Sequence, residues 1–129
     1  MAHSLRVQIC DDSPHVRSAL RRLLEREPDL VVTAEAAGAD EAIEQLRAER
    51  PDVLLLDIAM PGRSGLEALP DLRAASPETD IIVLSLHDDP VYARHAVAAG
   101  AHGYLAKDAA DGVAQAVRDT AERRHRRSS

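Results

Sequence analysis

Four consecutive apolar residues, Val53–Leu56, run directly into an aspartate, Asp57, and the turn residues Pro61 and Gly62 follow. Such a run cannot alternate between core and water, so it predicts a strand buried on both faces, as in the middle of a parallel sheet. An aspartate at the last position of that strand can reach the crevice beyond the carboxyl edge of the sheet, where open α/β sheets bind ligands. The alternative is an ordinary turn-capping aspartate, and the run alone favours that simpler reading.

The rest of the chain alternates in the same way between short apolar runs and helical patterns. Strands are predicted at 5–10, where apolar and polar residues alternate, and at 30–35, 53–57, 81–85 and 103–106. Helices are predicted at 14–27, from Asp40 to Pro51, after a flexible turn at 62–65, at 90–100, and from about Asp111 with Val113, Val117 and Ala121 buried. Five strands alternating with five helices imply right-handed crossovers and a parallel sheet covered on both faces.

Turn and cap residues mark several of the predicted helix boundaries. Ser13 is a good N-cap with Pro14 in the first helical position, and Asp88 and Asp89 precede the helix that begins at Pro90. Pro70 lies inside the third helical pattern, which predicts either a kink or a late start of that helix.

Length and charge indicate one acidic domain. The chain has 129 residues and a formal charge of −6, and four arginines within 123–127 contribute +4, so the remainder carries −10. We assign 1–122 to a single domain and 123–129 to a basic tail, either a solvated helix end or the start of a linker. This acidic domain is a poor surface for nucleic acid, because its charge repels phosphate and it has no Trp or Phe on which bases could stack.

Cysteine usage and hydropathy indicate the compartment. The single cysteine, Cys10, lies in the first apolar run and is read as a small core residue; one cysteine excludes an internal disulfide and suits a reducing environment. No apolar run has the length of a signal peptide or a membrane span, so a cytoplasmic protein without membrane contact is expected.

Charged and hydroxyl side chains stand at the ends of four predicted strands. Asp11 and Asp12 follow the first strand, Asp57 ends the third, Ser85 the fourth, and Lys107 follows the fifth. In a parallel sheet these ends share one edge, so three carboxylates, a hydroxyl and an ammonium converge. Clustered carboxylates repel unless a cation lies between them, and hard oxygen donors without Cys or His point to Mg²⁺.

The lysine and histidine residues bear on which side chains belong to this predicted site. Lys107 is the only lysine beside fifteen arginines, and an ammonium fits against a single oxygen where a planar guanidinium would not. The six histidines show no metal-ligand spacing and are treated as surface residues.

The joint pattern resembles the receiver domain of two-component response regulators over essentially the whole chain. It rests on Asp11-Asp12, on Asp57 followed by Met60-Pro61-Gly62, on Ser85, and on the segment 104–107. Segments 84–89 and 99–104 further resemble the NarL/FixJ receivers that precede a LuxR-type helix-turn-helix. The resemblance implies a flavodoxin-like (CheY-like) fold, with strand order 2-1-3-4-5.

The resemblance also implies roles for individual residues. Asp57 would accept a phosphoryl group from a histidine kinase, with Lys107 and Ser85 binding the phosphoryl oxygens. Asp12 and Asp57 would ligate Mg²⁺ directly, Asp11 through water, and Ala59 through its backbone carbonyl. Ser85 and Tyr104 would form the switch that alters the face made by helix four, strand five and helix five. The implied partners are a histidine kinase, a second copy in a homodimer, and DNA only through an output domain absent from this chain.

Three positions depart from the common receiver pattern. Ala59 and His87 flank the path of an attacking water and offer neither a carboxylate nor an amide there, which leaves the lifetime of a phosphorylated state open. Asp108 follows Lys107 where many receivers have proline, so a trans peptide bond is expected.

Other readings of the same residues stay open at this point. Asp11 and Asp12 can be cap residues, Ser85 a strand end, and Tyr104 a packing residue. An aspartyl phosphatase of the haloacid dehalogenase type would need a second aspartate where Ala59 stands. A receiver-like module that is never phosphorylated would not need the complete polar set, and a DNA-binding protein would need a helix-turn-helix beyond the five-stranded unit.

Overall fold

The computed structural model describes residues 4–60, 62–85, 90–107 and 112–128. Strands and helices alternate along these described residues. The strands are β1 (Leu5–Cys10), β2 (Leu30–Ala36), β3 (Val53–Asp57), β4 (Asp80–Ser85) and β5 (Gly103–Ala106). The helices are α1 (Pro14–Glu25), α2 (Ala39–Glu49), α3 (Gly65–Ala75), α4 (Pro90–Ala98) and α5 (Val113–Ser128).

All strand pairs are parallel, and the sheet order is β2-β1-β3-β4-β5. The predicted fold class and strand order are therefore confirmed. The register aligns the strand ends: Cys10 pairs with Leu56, Asp57 with Leu84, and Ser85 with Ala106. The last residues of β3 and β4, together with the residues that directly follow β1 and β5, consequently share one edge of the sheet.

β3 occupies the centre of the sheet, and all five of its residues are buried. Its side chains alternate between two separate cores. Leu54 and Leu56 pack in the core that contains residues of α2, α3 and α4, whereas Val53 and Leu55 pack in the core that contains residues of α1 and α5. Helices on both faces thus explain why this strand shows no polar alternation.

The start of α3 corrects the prediction of a flexible turn over 62–65. The helix begins at Gly65, and the Ser64 hydroxyl caps it by accepting from the Glu67 amide at 3.1 Å. Pro70 lies inside the helix, so the late start is excluded. The cap fixes the helix start, and the ring of Pro70 removes one internal hydrogen bond without preventing the helix.

Other boundaries differ from prediction by one or two residues. α1 ends at Glu25 rather than near residue 27, and α2 begins at Ala39 because Gly38 supplies the extended N-cap backbone. α4 ends at Ala98, before Gly100, and β2 and β4 each extend one residue beyond the predicted run. The predicted cap at 88–89 and the start of the last helix near residue 111 lie outside the described residues.

α5 continues through the basic segment to Ser128, so the arginines of 123–126 extend a helix. Val113 and Val117 are buried as predicted, whereas Ala121 is only half-buried. The division of the chain at residue 122 stays a prediction. Across the described residues, every helix is too short or too polar to cross a membrane.

Two polar residues are buried where the sequence predicted exposure. Gln8, read as the polar side of an alternating β1, is fully buried, and its amide donates to the Ala42 carbonyl at 3.2 Å. β1 contributes to the cores on both faces of the sheet, so its residues from Val7 to Cys10 are buried on either side. His102 is half-buried rather than on the surface, and its Nδ1 accepts from the Ile81 amide at 3.0 Å. The other described histidines are exposed: His15, His95 and His125.

Candidate functional site

The polar residues at the strand ends line one cavity of about 280 Å³ at the carboxyl edge of the sheet. The ends of four strands, β1, β3, β4 and β5, contribute the carboxylates, the hydroxyl and the ammonium, and the register of the sheet explains why these groups lie close together. The lining comprises Asp11, Asp12, Ser13, Val16, Asp57, Ile58, Ala59, Ser85 and Lys107. The structure therefore brings together every side chain that the sequence predicted for the site except Tyr104.

Asp57 ends β3 and is only 2% exposed. Its Oδ1 accepts from the Ala59 amide at 3.1 Å, and the next amide, that of Ile58, donates to the Leu84 carbonyl at 3.1 Å. Burial raises the pKa of Asp57 to about 6, and the neighbouring Asp11 carboxylate adds to the rise, whereas the Ala59 amide and Lys107 oppose it. This carboxyl group is thus held by its own turn in a poorly hydrated place.

Gly65 allows α3 to press against the end of β3. A Cβ at this position would lie 2.3 Å from the Asp57 carbonyl oxygen and 3.1 Å from the Cα of Ile58. The Gly65 amide also donates to the Ile58 carbonyl at 3.1 Å. The absence of a side chain at Gly65 therefore determines how closely the helix can hold the backbone of Asp57.

Asp11 is completely buried, and each of its polar atoms faces a partner. Its amide donates to the Ala36 carbonyl at 3.0 Å, and its carbonyl accepts from Arg17 at 2.5 Å. In the carboxylate, Oδ1 accepts from the Ser13 amide at 2.9 Å, and Oδ2 lies 2.9 Å from Lys107 Nζ. A buried carboxylate is tolerated here because cationic and amide groups surround it.

Lys107 joins the two buried carboxylates. Its Nζ lies 2.9 Å from Asp11 Oδ2 and 3.2 Å from Asp57 Oδ1, and its side chain is 15% exposed. Burial alone would lower the pKa of Lys107, but the contacts with Asp11 and Asp57 outweigh it and hold the pKa above its ordinary value. The ammonium is therefore a fixed positive charge at the base of the cavity.

Asp11, Asp12 and Asp57 form a group that suits a metal ion. Each offers a carboxylate oxygen, and these three atoms lie within 4.8 Å of one another. Asp12 is exposed, whereas the other two are buried, so the group opens toward solvent on one side. Clustered oxygen donors and an open side fit a hard divalent cation that keeps part of its water shell.

Ser85 and Tyr104 lie at different depths on the neighbouring strands. Ser85 is fully buried at the end of β4 and lines the cavity. Tyr104 lies opposite Val83, near the start of β5, and packs half-buried against the core of α2, α3 and α4. Ser85 therefore belongs to the site itself, whereas Tyr104 lies behind it.

Two residues of this region were missed by sequence reasoning. Gly65 was taken as part of a flexible turn, although a Cβ there would lie 2.3 Å from the Asp57 carbonyl oxygen. Arg17 was not singled out because nothing in the sequence distinguishes it from the other arginines of α1, yet its guanidinium contacts the Asp11 carbonyl. His87 and Asp108, which the sequence analysis named as departures, lie outside the described residues.

Comparison with known proteins decides the family. The family model described as the response regulator receiver domain matches residues 7–118. The chain belongs to the response-regulator receiver family. The matched range includes the strands and helices of the described residues, apart from the first two residues of β1 and the part of α5 after residue 118.

Curated relatives of this receiver are named as regulatory proteins. It is 37% identical over 121 residues to the transcriptional regulatory protein DegU of Brevibacillus brevis, covering 93% of this chain and 51% of that protein. It is 38% identical over 108 residues to the oxygen regulatory protein NreC of Staphylococcus haemolyticus, covering 83% and 50%. The chain thus spans about half the length of the curated relatives that it matches.

Solved structures place the receiver in the NarL/LuxR subgroup. A LuxR-family response regulator from Aurantimonas sp. matches with a TM-score of 0.87 and 35% identity over 92% of this chain and 86% of that one. The receiver domain of the NarL regulator from Mycobacterium tuberculosis matches with a TM-score of 0.86 and 34% identity over 93% and 98%. The predicted family and subgroup are confirmed, and the domain is a signalling module.

Proposed function

We propose that Asp57 is the phosphoacceptor of this receiver and takes a phosphoryl group from the phosphohistidine of a histidine kinase. A bond would form between a carboxylate oxygen of Asp57 and phosphorus as the bond from phosphorus to the donor imidazole nitrogen breaks. The observation that carries the proposal is the position of this carboxylate, at the end of β3 and 3.2 Å from the ammonium of Lys107. A pKa of about 6 leaves Asp57 ionised at neutral pH, as a nucleophile must be.

The neighbouring side chains would position the transferred group. Lys107 would pair with a phosphoryl oxygen, and the hydroxyl of Ser85 would hydrogen-bond a second one from the end of β4. Both residues line the cavity next to Asp57. These groups need little rearrangement because β3, β4 and β5 already align their ends.

The acidic group is proposed to hold Mg²⁺. Asp12 and Asp57 would be direct ligands with the carbonyl of Ala59, and Asp11 would act through a water, since its two carboxylate oxygens already face Ser13 and Lys107. When bound, the cation would neutralise charge on the phosphoryl oxygens. The three carboxylates lie close enough for this arrangement.

The signal is proposed to leave through α4, β5 and α5. Movement of Ser85 toward the phosphoryl group would let Tyr104 turn inward and change this face. The face suits a protein partner, because α4 buries only Ala96 among its residues and exposes the apolar side chains of Val91, Tyr92 and Val97. A second copy of this chain and a DNA-binding output domain, suggested by the regulatory names of the relatives, are the proposed partners. The cytoplasmic location also stays a prediction.

Intact-mass spectrometry tests the phosphoacceptor. With Mg²⁺ and acetyl phosphate, the wild-type chain should gain one phosphoryl group, and Asp57→Ala should gain none. Asp119→Ala, which alters an exposed aspartate on α5, is the matched control and should be modified like the wild type. An undiminished gain in Asp57→Ala would reject the assignment, and steady turnover of p-nitrophenyl phosphate would favour a phosphatase instead.

A further inference from the structure

A pair of charged residues outside the cavity contacts the turn that carries Asp11 and Asp12. Arg17, on α1, donates from Nη1 to the Asp11 carbonyl at 2.5 Å. Its Nε lies 3.4 Å from Oε1 of Glu35, near the end of β2. The side chains of Arg17 and Glu35 are 18% and 25% exposed, so both are well shielded from water. One guanidinium thus connects the acidic turn to the neighbouring strand.

Glu35 is itself held from several sides. Arg21, one turn further along α1, forms an ion pair with Oε2 of Glu35, and its Nε pairs with Glu25 at 2.8 Å. The Glu35 carbonyl accepts from Gln45 on α2 at 2.9 Å. Glu35 is therefore a fixed anchor for the arginine that reaches Asp11.

We propose that Arg17 is a positioning residue for the metal-binding turn and acts through the Asp11 carbonyl while Glu35 holds its guanidinium in place. This inference rests on the proposed function, because it assumes that the acidic group binds a cation. The carboxylate of Asp11 is oriented by Ser13 and Lys107, but the peptide that follows it, which leads to Asp12, is held on its carbonyl side by Arg17. Loss of that bond would free Asp12, the exposed member of the group.

Charge and position predict opposite effects of removing Arg17. As a nearby positive charge, Arg17 repels a divalent cation, so its neutralisation would strengthen Mg²⁺ binding if charge alone mattered. As a positioning residue, it orders the ligands, so its loss would weaken Mg²⁺ binding by about tenfold, as is usual when a group behind a metal ligand is removed. The sign of the change therefore separates the two roles.

The experiment is an NMR titration of backbone amides with Mg²⁺ in the intact chain, at a temperature where circular dichroism shows each variant folded. Arg17→Gln should bind Mg²⁺ about tenfold more weakly than the wild type. Arg17→Lys should also bind more weakly, because an ammonium keeps the charge but cannot span both the Asp11 carbonyl and Glu35. Arg21→Gln is the matched control, since it removes another partner of Glu35 that makes no described contact with Asp11, and it should weaken Mg²⁺ binding much less than Arg17→Gln does.

Each other result counts against the inference. Unchanged or tighter binding by Arg17→Gln would overturn it, as would full affinity in Arg17→Lys, or equal weakening in Arg21→Gln, which would mean that the charge balance of Glu35 is what matters. Failure of the wild type to bind Mg²⁺ would also overturn it. A wild type that binds Mg²⁺ without accepting a phosphoryl group would contradict the proposed function alone and leave the Arg17 comparison valid.

Discussion

Lys107 Nζ lies 2.9 Å from the carboxylate of Asp11, a side chain that is completely buried. The pair spans the sheet edge from the end of β1 to the end of β5, with Asp57 between them at 3.2 Å from the same ammonium. One cation therefore compensates two buried carboxylates. The stability of the domain and the chemistry of its site should depend on the same contact.

Replacement of Lys107 by methionine should destabilise the domain when no divalent cation is present. It leaves the buried carboxylates of Asp11 and Asp57 without a compensating charge, which costs about 3 kcal/mol of unfolding free energy by comparison with other broken buried pairs. Saturating Mg²⁺ should recover more stability in the variant than in the wild type, because it replaces the lost charge. Urea denaturation with and without Mg²⁺ measures both effects, and an equal gain in the two proteins would contradict this account.

Gly65→Ala should strain the junction between α3 and β3. The added Cβ would lie 2.3 Å from the Asp57 carbonyl oxygen, so backbone must move, at a cost of about 1–3 kcal/mol. The rate of phosphorylation by acetyl phosphate should fall as well, because Asp57 moves with its carbonyl. Gly112→Ala is the control, since a Cβ there meets nothing within 4 Å, and it should keep wild-type stability and rate. A wild-type rate in Gly65→Ala would show that the close approach is not needed.

The contact between α5 and the turn before β2 should stabilise the domain at neutral pH and lose this effect in acid. Arg118 pairs with Asp29 at 2.8 Å and with Glu27, and its hydrogen bonds hold the pKa of Asp29 below its ordinary value. A carboxyl whose pKa is lowered by folding stabilises the domain at pH values above its unfolded pKa, and this contribution disappears as the pH falls through the folded pKa.

Asp29→Asn should therefore be less stable than the wild type at neutral pH, with the difference shrinking toward zero in acid. Thermal melts over a series of pH values provide the measurement. Asp119→Asn, where the carboxylate bonds to the neutral amide of Gln115, should have much less effect. A constant difference between Asp29→Asn and the wild type at all pH values would refute the linkage.

The residues of β3 show why much of this fold was predictable. Val53–Leu56 are apolar on both faces, and only the middle of a covered parallel sheet accommodates such a run. The same logic places Asp57 at the edge, and it holds for Ser85 and Lys107 because their strands run in the same direction. Strand direction is enough to bring these residues to one place without knowledge of any distance.

Gln8 and His102 show where such reasoning failed. The alternation over 5–10 predicted one solvent-exposed face for β1, but cores cover both faces of this strand. The cost of burying Gln8 is offset in part by a hydrogen bond to α2 that no local pattern indicates. The imidazole of His102 bonds to the amide of Ile81, twenty-one positions earlier. The burial of both residues depends on neighbours that are distant in the sequence, and a single sequence does not reveal which residues those are.

Arg17 and Gly65 belong to the same class. An arginine on α1 reads as a solvated charge, and a glycine after Ser64 reads as a turn, until the backbone of the acidic turn and of β3 is placed beside them. A residue that contacts the backbone of another residue is hard to recognise from its spacing in the sequence. The carboxylates that line the cavity are easier to recognise, because their residue type and their positions at the strand ends indicate their role.

Because Lys107 is the only lysine in the chain, isotopic labelling of that one amino acid would place a single spectroscopic reporter between Asp11 and Asp57. Its side-chain resonance would report occupancy of the cavity without mutation and without overlap from other lysines. Reagents that modify amines would likewise have only this residue and the chain terminus to attack, so their yield would measure how well the ammonium is protected.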